Sequence, residues 1–328
     1  MPKKPEENSL LAALQFVSAV QPKRSNVVTE THCWMFGQRL VACAGPLSAG
    51  IPIQEEIEAC PNTLKLIEAL KQCPDAINLT MTTQNELSVR SGNFQATIPC
   101  IRPSQFPTIY PNPPVGSIPA EFLISLKQVG AIVSDKAKTI VQSSVKLMGE
   151  SIIATNGDVI LESWHGHPGP VGPIVPKLFI SALGKRRDKA IYRIGGDRDE
   201  MTGYYDDGSW IKTLLQKDPA FPNLQSFLDV PVNTIPTPLG FFQAIDRLAK
   251  FSKDGKLYFT SEGICTDNYL VDGAINVCEG LPVGISFNIA SLQMISQAEQ
   301  LDFSQASTQR KVRFFGKNMR GVIGCDPL

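Results

Sequence analysis

Three groups of side chains in this sequence have the types and spacing to do chemistry. His165-Gly166-His167 offers two imidazoles on alternate residues, an arrangement that can hold a transition metal from a loop. Asp197, Asp199, Glu200, Asp206 and Asp207 gather carboxylates into one short stretch, the donor type that a two-metal nuclease uses. Eight cysteines supply thiols. Each group also has a plainer reading. The histidines lie in a Gly/Pro-rich run reaching Pro173, which reads as a loop surface. The carboxylates lack calcium-loop spacing and read as solvated hairpin turns flanking 201–205. The cysteines form no Cys-x-x-Cys pair and have no histidine at zinc-ligand spacing, so they read as reduced, mostly buried small hydrophobes. Phosphate-binding, dinucleotide-binding, nucleophile-elbow and metalloprotease motifs are all missing. The expectation is a chain with no catalytic residues, no metal and no cofactor.

What remains is charge. The chain has 31 basic and 31 acidic residues, a formal net charge of zero, so bulk charge cannot grip nucleic acid and any such contact needs local segregation. The basic residues do gather on stretches that read as helices. Lys65 and Lys71 lie on the second, Lys127 on the third, Lys177, Lys185, Arg186 and Arg187 on or after the fourth, and Arg247 and Lys250 on or after the fifth.

Six helical stretches carry apolar faces at helical spacing. The first, from Ser9 to Val20, aligns Leu10, Leu14 and Val17; the second, opening at Pro61-Asn62, aligns Leu66, Leu70 and Cys73. Phe122, Leu126 and Val129 follow Pro119, and Phe179, Ala182 and Leu183 follow Pro176. Phe241, Ile245 and Leu248 follow Pro238, and the last face is Ile289, Leu292 and Ile295. Between them lie strand-like runs at 77–82, 86–91, 94–101, 151–155, 190–194 and 311–315, punctuated by turns such as Ser91-Gly92-Asn93 and Thr155-Asn156-Gly157. The runs are too close together for crossover helices, which predicts antiparallel pairing. Two helices and about eight strands thus recur three times, with boundaries at the proline-rich stretches 110–119 and 230–238. The expected domains are 1-117, 118-232 and 233-328. Each third is electrically neutral, with nine, thirteen and nine residues of either sign, so none is a charged tail. No run of about eighteen apolar residues is available to span a bilayer, and the polar N-terminus lacks a secretory signal, which predicts a cytoplasmic protein with no membrane role.

Several stretches are familiar. Leu87-Ser88-Val89-Arg90-Ser91-Gly92, followed by Phe94 and Phe106-Pro107, resembles the end of the first domain in the bacterial DNA polymerase III beta subunit, the sliding clamp. Ile153-Ala154-Thr155-Asn156-Gly157 and Phe221-Pro222-Asn223 resemble its middle domain, and Leu14-Gln15-Phe16-Val17-Ser18 resembles its first helix. The resemblance covers the chain in order and weakens toward the C-terminus. It implies an α+β fold of three repeated clamp domains, each with two helices on antiparallel sheets, and a head-to-tail homodimer closing as a ring around duplex DNA without sequence preference. It also implies DNA-backbone contacts at Lys23 and Arg24 and at Lys136 and Lys138. A cleft between the second and third domains would take short linear peptides of a DNA polymerase and a clamp loader. By residue-by-residue match, the cleft comprises Thr155, Gly157, Asp158, Val159, Ile160, Pro222, Val322, Ile323, Gly324, Cys325, Asp326, Pro327 and Leu328. The family commonly has basic residues where this chain has Asp158 and Val159, and a Met-Pro-Met-like ending where it has Gly324-Cys325-Asp326-Pro327. Truncation after Gly321 is expected to remove the cleft and leave the ring. Two readings from other classes stay open: a metal-dependent nucleic-acid enzyme using the 197–207 carboxylates, and a clamp-like peptide-binding assembly protein with no DNA role.

Overall fold

The computed structural model describes residues 9–74, 76–185, 191–218, 220–267 and 273–328. Six helices carry the predicted faces: α1 (Ser9–Ser18), α2 (Thr63–Lys71), α3 (Ala120–Gly130), α4 (Lys177–Leu183), α5 (Phe241–Leu248) and α6 (Ile289–Met294). Every apolar residue named for those faces is buried except Cys73, which is half-buried. Pro61 does not open α2. It ends the short strand Cys60–Pro61, and Asn62 caps the helix by accepting from the Lys65 N–H at 3.1 Å.

All strand pairs are antiparallel, and the element order repeats: a helix, three strands, one strand, a helix, three strands. Among the described residues the expected domains hold eight, seven and nine strands, in line with the roughly eight read for each. The first helix of each repeat lies on its second and third strands. Thus α1 packs on Arg39–Ala44 and Leu47–Pro52, α3 on Ser151–Thr155 and Val159–Trp164, and α5 on Gly263–Cys265 and Ile275–Asn276. The hairpin turns follow sequence chemistry. Gly92 adopts φ 52° between Ser91 and Phe94, which pair across the turn, a left-handed backbone that favours glycine.

The chain forms two compact units, Met1–Pro119 with Leu178–Gln216, and Ala120–Lys177 with Lys217–Leu328. In the first unit, Leu47–Pro52 pairs with Trp210–Leu214, which builds a seven-stranded sheet; a four-stranded sheet completes the unit. In the second, Val159–Trp164 pairs with Met319–Gly324 in an eight-stranded sheet, beside a five-stranded one. The proline-rich stretches read as domain boundaries are partly strands. Pro114–Ser117 ends the seven-stranded sheet against Ile191–Gly196, and Ile235–Pro236 ends the eight-stranded sheet against Gln300–Asp302.

Candidate functional site

The turn 155–158 is built by its own polar side chains. Asn156 Oδ1 accepts from the N–H groups of Asp158 and Val159, at 3.0 and 2.8 Å, in an Asx-type turn. Thr155 Oγ1 donates to the Val159 carbonyl at 2.7 Å and accepts from Gly157 N–H, and Gly157 takes φ 102°. The turn sets the register that places Ile160 opposite Val322 and Val159 opposite Ile323. Side chains alternate faces along a strand. Ile160 and Val322 therefore share one face with Ile153, Leu224 and Leu228, joined by half-buried Met148 and Phe221. Val159 and Ile323 lie on the other face and are wholly buried, so the apolar face open to a docked chain is that of Ile160, Met148 and Phe221.

The rim of this cluster is cationic and aromatic. Lys146 Nζ sits 5.1 Å from the Phe221 ring centroid, and Lys311 Nζ 4.8 Å from that of exposed Phe227. Pro222, Gly157 and Asp158 are exposed beside it, and the Asp158 carbonyl accepts from Gly324 N–H at 2.7 Å. Arg320 braces the floor. Its guanidinium donates to buried Glu162 at 2.9 Å and to Asp229 at 2.8 Å and lies over the Trp164 ring, while Glu162 also accepts from Ser151 Oγ at 2.7 Å. Met148, Ile153, Phe221, Leu224 and Leu228 were not read as site residues from sequence. The available signal was the Leu224/Leu228 pair four residues apart after Phe221-Pro222, the spacing of one helical face.

The C-terminus divides at Gly324. Cys325 is buried, its thiol donating to the Ala306 carbonyl at 3.5 Å, and burial raises its pKa to about 11. Asp326 and Pro327 then join the five-stranded sheet opposite Ser286 and Ile285, Leu328 N–H reaches the Gly284 carbonyl at 3.0 Å, and Asp326 pairs with Lys256 at 2.9 Å. The last three residues thus edge a different sheet from the Ile160 cluster. Truncation after Gly321 would strip Val322 and Ile323 from ladders on both sides. The expectation that only the cleft would suffer is corrected on that ground.

The basic residues fall into two sets. Lys23, Arg24, Lys65, Lys71, Lys127, Lys136, Lys138, Arg247 and Lys250 are exposed, on outward helix faces or the loops beside them. Lys177 is half-buried and donates to the Gly130 carbonyl at the end of α3 at 2.5 Å; burial lowers its pKa. It is committed to a helix C-terminus, where a cation offsets the carbonyl dipoles, and this sets it apart from the exposed lysines and arginines. Lys185 is exposed but donates to the Ala19 carbonyl just beyond α1 at 2.5 Å. Arg186 and Arg187 lie outside the described residues.

The candidates for metal chemistry are otherwise engaged. Asp197 accepts from the N–H groups of Asp199 and Glu200 at one hairpin turn, Asp207 accepts from Ser209 at the next, and Glu200 pairs with Lys212 at 2.5 Å. Among the described residues no three metal-ligating side chains come together. His165 is not on a loop surface. It is buried edge-on against Phe122, and burial lowers its pKa, while His167 lies outside near Glu121 at 3.7 Å.

No family model and no curated protein sequence matches this chain. Solved structures do. The beta sliding clamp of C. crescentus, with PEG bound to a putative beta-motif tethering region, is 16% identical with a TM-score of 0.81, covering 97% of each chain. The DNA polymerase III subunit beta of Pseudomonas aeruginosa is 17% identical with a TM-score of 0.76, covering 97% of this chain and 98% of that one. The DNA polymerase sliding clamp of Bacillus subtilis is 15% identical with a TM-score of 0.76, covering 98% and 97%. The chain has the α+β sliding-clamp fold along nearly its whole length.

Proposed function

We propose that this chain is a DNA sliding clamp, a non-catalytic processivity factor that encircles duplex DNA and tethers a replicative polymerase. The supporting observation is the agreement in fold with beta clamps over 97% of both chains, at a TM-score of 0.81. The proposed domains are 1-117, 118-232 and 233-328, and the site of action is the cytoplasm.

Ring closure follows from the repeat. Within each unit the third strand of one repeat pairs with the last strand of the next: Leu47–Pro52 with Trp210–Leu214, and Val159–Trp164 with Met319–Gly324. The equivalent remaining strands are Ile275–Asn276 and Phe94–Ile101. Among the described residues, Ile275–Asn276 pairs only with Gly263–Cys265. On the side away from Glu86–Ser91, only Cys100 and Ile101 of Phe94–Ile101 meet a strand. Unpaired edges seek partners. A second copy placed head to tail supplies the missing strand to each edge and closes a dimer.

The exposed lysines and arginines face phosphates in this reading, with acidic neighbours such as Glu68 and Asp246 on the same helices limiting the grip. Weak, sequence-independent contact is what sliding requires. The Ile160, Met148 and Phe221 face takes an apolar anchor of a polymerase or clamp-loader peptide. The decisive experiment loads the labelled protein onto nicked circular DNA and then linearises it. Retention on circles and loss from free ends is the expected result, and equal loss from both forms would overturn encirclement. A stable monomer in the presence of DNA and loader would overturn the ring.

A further inference from the structure

The Ile160 cluster has a counterpart in the first unit. Phe106-Pro107 precedes Ile109 as Phe221-Pro222 precedes Leu224. Phe106 packs with Val41, Cys60 and Trp210, ringed by Trp34, Phe36, Ile109 and Tyr204, so the same place in the repeat is aromatic rather than aliphatic. A cavity of about 170 Å3 opens beside it, walled by Phe36, Ile51, Tyr110, Tyr204 and Trp210, with Pro52 and Pro111 in its lining. That volume admits a single anchor side chain, well short of the roughly 300–1,000 Å3 of a small-molecule site.

The walls are held in place before anything binds. Tyr204 Oη donates to the Asn112 carbonyl, so its hydroxyl is committed and its ring is left for packing. Lys212 Nζ donates to the Tyr110 carbonyl at 3.0 Å, and Asn112 N–H to Thr202 Oγ1 at 3.2 Å, which ties the 110–112 backbone to the sheet. A pre-formed wall spares a ligand the entropy of ordering it. The lining contains one cation, the exposed Arg39, and no carboxylate. The nearby Asp207 carboxylate is engaged by Ser209, at 2.6 Å from the hydroxyl. An aromatic slot with one guanidinium at its mouth matches a ligand that pairs an apolar anchor with an adjacent negative charge, because Arg holds a carboxylate bidentately. One cation is too few for a nucleic-acid backbone.

We propose that this cavity is a second docking site, for an extended segment of a partner protein that places a phenylalanine- or leucine-sized side chain against Trp210 and Tyr204 and an aspartate or glutamate on Arg39. It lies in the other unit from the tether site and does not depend on that reading. Anisotropy of a labelled five-residue peptide, glycine-aspartate-phenylalanine-leucine-glycine with blocked ends, titrated with the full-length protein tests it. Saturable binding in the range of about 10–500 µM is expected, as one anchor and one exposed ion pair supply. Arg39→Gln should weaken it about fivefold, and the asparagine form of the peptide should bind both proteins equally weakly, since the pair is the thing lost. Ile160→Asp, which spoils the other cluster, should leave affinity unchanged. No saturation by about 1 mM, equal affinity for the Arg39→Gln protein, or loss of binding in Ile160→Asp would each overturn the proposal.

Discussion

The strand junction of the first unit, Leu47–Pro52 with Trp210–Leu214, and that of the second, Val159–Trp164 with Met319–Gly324, share a topology and differ in filling. Each uses a glycine to receive an aromatic ring. In the first, Gly50 lies opposite Trp210 across the junction itself; in the second, Gly321 lies opposite Phe314 one strand further in, with the Ile160 carbonyl also against it. The first junction is stacked with rings, Trp34 on Phe36 at 3.9 Å between centroids, and keeps its Glu200–Lys212 pair half-buried. The second is aliphatic and sinks a carboxylate, Glu162, beneath an arginine. Equivalent places in a repeat constrain the backbone strictly and the side chains loosely, because a junction needs filled volume and satisfied polar groups rather than particular residues.

That contrast is open to attack, and the glycines offer the largest effects. A methyl on Gly321 meets both the Phe314 ring and the backbone carbonyl of Ile160, and the carbonyl cannot move without breaking the ladder. The nearest atoms to a methyl on Gly50 all belong to the Trp210 side chain. Gly321→Ala should lower unfolding free energy by about 3 kcal/mol and Gly50→Ala by about 1–2 kcal/mol, read from denaturant titrations. The reverse order would mean that the aromatic junction is the less tolerant of the two.

Buried charge comes next. Glu162→Gln leaves Arg320 with Asp229 alone and weakens the bond from Ser151, for a loss of about 2 kcal/mol. Glu200→Gln breaks the Lys212 pair of the first unit, whose partners keep 28% and 13% side-chain exposure, for a loss of about 1 kcal/mol or less. Equal losses in the two denaturation curves would erase the distinction between a pair with a fully buried carboxylate and a half-buried one.

The smallest effect is on pH dependence, and here the units should agree. Burial is the main cause holding His32 in the first unit and His165 in the second below the ordinary 6.5. A lowered folded pKa means that the unfolded chain binds the proton more readily. The stability each neutral imidazole contributes is therefore complete above 6.5 and is lost as pH falls through the folded value. His32→Gln and His165→Gln should each flatten the decline in stability between about pH 7 and 5, by less than about 1.4 kcal/mol per pH unit. An unchanged slope in either variant would show that its histidine is protonated at no cost.

Much of the fold was legible locally. The faces Leu10/Leu14/Val17 and Phe241/Ile245/Leu248 announced helices, and Gly92 and Gly157 announced hairpins, because helical period and left-handed turns depend on residues a few positions apart. The turn 155–158 was legible for the same reason, since its bonds are all local. The pairing of Val159–Trp164 with Met319–Gly324 joins segments far apart in the chain, and no local pattern specifies which edge meets which.

Three features of the site depend on neighbours distant in the chain. Strand alternation after Thr155 turned Val159 and Ile323 inward and left Ile160 at the surface of the cluster. Past Gly324 the chain leaves that ladder, and Asp326 to Leu328 edge another sheet. The end of α3 came within reach of Lys177 and took that lysine for a helix carbonyl. Helix faces, turns, antiparallel pairing and the recurring element order can be read along the chain, because short-range sterics and hydrophobic period act within a few residues. Which faces stay open and which cations stay uncommitted cannot be read that way, because burial and carbonyl capping depend on neighbours brought in from distant parts of the chain.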